Sequence, residues 1–152
     1  MAGVTNKGKY RMAGALFRGE TLPASYYVAL ITDAAVPDED FNLFSQITEV
    51  AAGNGYTLGG IQLSKNSTDF DTWTEDDSGN LGKVLIRDVV WTASGGTLPA
   101  SGDGARYAIM TDANSTVEDR EIWCYWDLAS DRIVSDSQTL TLSDLEIRFT
   151  ET

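Results

Sequence analysis

The sequence predicts an all-β fold, a jelly-roll-like β-sandwich with an N-terminal helix and one short additional helix. Three observations carry that expectation. The segments ARYAIMTD, REIWCYWDL and Gln138 to Thr150 each read as a strand, with turn-forming residues between them. Tyr107 and Ile109 alternate with Arg106, Ala108 and Met110, and Leu145, Ile147 and Phe149 alternate with Glu146, Arg148 and Thr150. Successive strand side chains point to opposite faces, so this period of two predicts a sandwich half with one buried face. A chain of 152 residues is long enough for one well-buried core. Residues 1–25 read as an N-terminal helix or arm and residues 26–152 as a single β-sandwich domain.

Taken in order, the first element is a helix from Lys7 to Arg18. Thr5 or Asn6 can cap it, Tyr10, Ala13, Leu16 and Phe17 fall at the spacing of one apolar stripe, and Gly19 offers a stop. YYVALIT, from Tyr26 to Thr32, is aromatic and branched without helical periodicity, as a strand buried on both faces would be. In DAAVPDEDFNLFSQITEV, Phe41 and Phe44 are one helical turn apart, which places a short helix or single turn at Asp40 to Ile47. GNGY marks a tight turn leading into the strand YTLGGIQL, inside which Gly59 and Gly60 predict a bulge or a close approach of another backbone. VLIRDVVW reads as the next strand, and the Gly-, Ser- and Pro-rich WTASGGTLPASGDGA as a loop. That loop lacks the Lys followed by Ser or Thr, and the helix, of a phosphate-cradling motif.

Charge and composition narrow the function. A net charge of −12, with scattered basic residues, argues against binding to a nucleic-acid backbone. The chain has no histidine, which removes Ser-His-Asp triads, histidine bases and imidazole metal ligands at once. Cys124 is the only cysteine, so no intrachain disulfide can form, and its place in IWCYW predicts a buried, inert thiol on the face of Ile122 and Trp126. No signal peptide or membrane span is read in the sequence. The expected partners therefore include neither nucleic acid nor membrane, and no cofactor is called for.

Two clusters invite chemistry. Asp69, Asp71, Glu75, Asp76 and Asp77 crowd oxygens that suit a hard cation, yet their spacing is not that of an EF-hand loop. The alternative is a solvated hairpin whose Phe70 and Trp73 fold back or touch a partner. In IWCYWDL, Trp123 and Tyr125 are expected on one face and Trp126 on the other. Exposed, they would suit a sugar platform; buried, they would serve core packing or a subunit contact, which is the favoured reading. A carboxylate pair such as Asp127 and Glu121 is an arbitrary choice among so many acids. The basic, amphipathic first helix is a candidate assembly element. Its candidate contacts are Lys7, Lys9, Tyr10, Arg11, Leu16, Phe17 and Arg18, joined by Phe70 and Trp73.

The ordered set TNKGKYRMAGALFRGETLPASYYVALIT, GNGYTLGG, VVWTASGG, GARYAIMTD and YWDLASDRIVSDSQTLTLSDLEIRFT resembles a family of small tailed-bacteriophage virion structural proteins. That resemblance covers most of the chain and rests on structural patterns rather than on a catalytic motif. It implies a non-enzymatic virion component, made in the host cytoplasm, whose partners are the major capsid protein or other virion subunits and which forms a homo-oligomer in the particle. A capsid decoration or cement role leads, and a tail-associated fibre or receptor- or glycan-binding module is the alternative. No functional residue is carried over from the family.

Overall fold

In the computed structural model, residues 2–150 are described. Among the described residues, ten strands form antiparallel sheets, accompanied by one N-terminal helix packed on the outside of β8 and two single 3-10 turns. The strands are β1 (Ala2–Val4), β2 (Ser25–Ile31), β3 (Ile61–Ser64), β4 (Thr72–Asp76), β5 (Leu81–Ile86), β6 (Val89–Thr92), β7 (Ala105–Thr111), β8 (Ile122–Arg132), β9 (Thr139–Leu142) and β10 (Leu145–Thr150). A five-stranded sheet, ordered β1-β8-β7-β2-β3, faces a three-stranded sheet, β10-β5-β4, and a two-stranded ribbon, β6-β9. The fold is thus all-β and sandwich-like, and this division of strands does not establish jelly-roll connectivity.

The main core lies between these layers. Val28, Leu30, Ala108, Met110, Cys124 and Trp126 meet Ile86, Trp91, Leu140, Leu142, Leu145 and Ile147 there. Trp126 ties the layers by donating its indole N–H to the Glu146 carbonyl at 2.9 Å. Contrary to the expectation of one buried face, β7 is covered on both sides. Tyr107 and Ile109 join Ala29, Ile31, Phe44, Ile122 and Tyr125 in a second apolar cluster. The segment between β2 and β3 folds over that outer face, and its 3-10 turn, Phe44–Gln46, delivers Phe44 into it. The short second helix expected at Asp40 to Ile47 is this single turn.

The face assignment of IWCYWDL also changes. Met110 pairs with Cys124 and Thr111 with Ile122, so Trp123 is an extra residue opposite no partner. A bulge of this kind resets the alternation. Trp123 therefore shares the main core with Cys124 and Trp126, while Ile122 turns to the second cluster with Tyr125. Two predicted strands are each split. Arg87 and Asp88 interrupt VLIRDVVW, leaving β5 and β6 in different sheets, and Asp144, at φ 56°, turns the chain from β9 to β10.

Cys124 is buried and its thiol pKa is raised by desolvation. Thiolate formation at that site is suppressed, so a thiol reagent is expected to label the native protein only as fast as the chain opens. Cys124→Ser is expected to cost about 1–3 kcal/mol, because a hydroxyl replaces a packed thiol. Denaturant titration of the variant, with timed labelling of the parent, checks both statements.

Candidate assembly surface

Helix α1 (Asn6–Arg18) follows β1 directly, and its start is fixed by polar bonds to the body. Thr5 caps it by accepting from the Gly8 N–H at 2.9 Å, while the same hydroxyl donates to the Ile122 carbonyl at 2.5 Å. The Thr5 N–H donates to the Trp123 carbonyl at 3.0 Å. Ahead of the helix, β1 is an edge strand of the larger sheet, paired Val4 to Cys124. The helix ends at Gly19, in left-handed conformation at φ 69°, as the sequence predicts.

The orientation of α1 decides what it can do. It lies against β8 through Gly8, where a Cβ would come within 2.5 Å of the Trp123 carbonyl oxygen. Arg11 holds the same face down. Its Nε and Nη2 donate to the two Glu121 oxygens at 2.6 and 2.7 Å, and Lys7 Nζ stands 3.6 Å from Oε1. Such a bidentate pair is stronger and more directional than an ordinary surface ion pair. The apolar stripe consequently points outward: Tyr10 is 61% exposed, Leu16 77% and Phe17 80%. Lys9 and Arg18 are also exposed, so α1 presents a basic, apolar face on an acidic protein.

The hydrogen bonds from Arg11, followed by its charge and that of Lys7, hold the Glu121 carboxyl below its usual range. A depressed carboxyl pKa contributes stability that is fully present above the unfolded value and is lost as pH falls through the lower, folded value. The stability difference between the parent and Glu121→Gln is therefore expected to be widest near neutrality and to close on acidification through and below the carboxylate range. Thermal melts across that pH series measure it.

The other candidate residues are placed as follows. Phe70 folds back, with its ring edge-on to Tyr26 at a centroid distance of 5.9 Å. Trp73, on β4, is 88% exposed. Trp123, Tyr125 and Trp126 are all buried and form no sugar platform. Asp127 bonds Arg106, whereas Glu121 is committed to Arg11. In the acidic segment, Asp69 accepts from Arg87 and from the Ser64 N–H, and Asp76 accepts from the Ser78 hydroxyl at 2.8 Å. No group of acids that could hold a metal ion forms among the described residues.

No protein-family model matches the chain, and no curated protein matches it. The outward face of α1 was only half legible in the sequence. The stripe was visible, but its direction depends on Gly8 meeting the backbone of Trp123, more than a hundred residues away. A cleft of about 220 Å³ opens between Met12, Leu22, Tyr26, Phe70, Val84 and Ile147, and no sequence pattern announces it.

Proposed function

We propose that this chain is an accessory structural protein of a tailed-bacteriophage virion, a decoration or cement subunit that docks through the outward face of α1. The observation that supports this reading is the combination of a firmly seated helix with an unburied apolar stripe. Soluble monomers bury such stripes, and a contiguous exposed one marks an interaction site. The order of segments noted in the sequence supplies the virion context, and the net charge of −12 disfavours docking to nucleic acid. In a symmetric lattice, individually weak contacts through α1 add by multivalency.

The reading is tested on particles lacking the protein. They are expected to assemble but to release packaged DNA sooner on heating or osmotic shock, and added purified protein is expected to restore resistance saturably. Unchanged particle stability with lost adsorption to host cells would place the chain in the tail instead.

A further inference from the structure

The three-stranded sheet is not fully covered. Ile147, Val84 and Trp73 lie in one cross-strand row, so their side chains share a face. Burial falls along that row, from Ile147 at 7% exposed, through a partly buried Val84, to Trp73 at 88%. The next row repeats the pattern. Phe149 is 46% exposed, Gly82 would leave a Cβ with nothing within 4 Å, and Glu75 is exposed. The inner face of β10-β5-β4 thus runs out from under the larger sheet as an open apolar shelf. The cleft of about 220 Å³ lies at its inner end, with Lys65 also in its lining. Its outer end is acidic, with Glu75, Asp76 and Asp77 around Phe149 and Gly82.

A sheet face needs a second layer, and a helix is one of the two elements that supply it. The chain carries a helix face of the complementary kind. Tyr10, Leu16 and Phe17 are apolar and exposed, Lys9 and Arg18 flank them, and α1 contains no acidic residue. The helix cannot reach its own shelf with that face, because Gly8 and the Arg11–Glu121 pair fix the opposite face to β8.

We infer that the shelf is the seat for α1 of a second copy of this chain. The inference rests on the proposed assembly role and names the neighbour that α1 meets. Apolar side chains of the helix lie over Trp73, Val84 and Phe149, and its cations face Glu75, Asp76 and Asp77. Donor and acceptor surfaces are different parts of the molecule, so the contact is head-to-tail and generates a ring or a filament.

Sedimentation of the purified full chain tests this. The parent is expected to form multimers. Phe17→Asp, on the helix, and Trp73→Glu, on the shelf, are each expected to weaken association roughly 30-fold or more, as loss of a central aromatic contact does. Both sites are exposed, so circular dichroism is expected to be unchanged. An equimolar mixture of the variants retains one intact contact, Trp73→Glu supplying the helix and Phe17→Asp the shelf. It is expected to stop at two chains. A parent that stays monomeric, a variant that keeps the parent mass, or a mixture that stays monomeric overturns the inference. Particle binding lost in Phe17→Asp but kept in Trp73→Glu would give α1 a different virion partner, leaving the virion reading standing. Multimers with no affinity for particles would overturn the virion reading and leave the self-contact.

Discussion

Gly60→Ala is expected to destabilise the chain by about 3 kcal/mol or more, a large share of the 5–15 kcal/mol typical of a domain. Gly60 sits at φ +78°, and a Cβ there would fall 1.9 Å from the Val28 carbonyl oxygen and 2.7 Å from the Ala29 Cα. Val28 and Ala29 are fully buried on strand β2, whose neighbours β3 and β7 leave it no room to retreat. Backbone strain and overpacking therefore act together. Gly102→Ala is the control: its φ is +74°, yet nothing lies within 4 Å of the added Cβ. It is expected to show the conformational cost alone, about 1 kcal/mol. The separation between the two denaturation midpoints measures the steric part.

The second large effect is on the proposed docking. Leu16→Asp combined with Phe17→Asp is expected to abolish retention on particles while leaving the melting temperature within a few degrees of the parent. Both side chains are more than three-quarters exposed, and neither belongs to either apolar cluster. Exposed substitutions of this kind change stability by about 0.5 kcal/mol or less. Two carboxylates at the centre of an apolar contact must instead be desolvated on docking, which costs several kcal/mol. Co-sedimentation with particles, beside a thermal melt, reads the two quantities separately.

Local signals in the sequence were reliable wherever the structure needed only local chemistry. Thr5 and Gly19 delimit α1, Gly60 marks a close backbone approach, and YYVALIT lies buried on both faces, all as their residue types imply. What failed depended on pairing across the chain. The bulge at Trp123 exists only in the register between β7 and β8, so strict alternation misplaced Ile122 and Trp123. The second apolar cluster exists because Phe44 arrives from a loop, which the period of β7 cannot report. β1 was missed because three residues, AGV, carry no periodicity of their own. The same limit applies to the candidate surface. Trp73 and Phe149 belong to separate segments, and only the shared strand β5 places them on one open face.

Docking as proposed covers the outward face of α1 in the assembled particle. Hydroxyl-radical footprinting of the chain, free at high dilution and bound to particles, tests it most directly. Tyr10, Leu16 and Phe17 are expected to be strongly oxidised in the free chain and protected on binding, with exposed Val36 and Leu58 as references that stay reactive in both. Equal oxidation of the three helix residues in the free and bound chains would contradict the account.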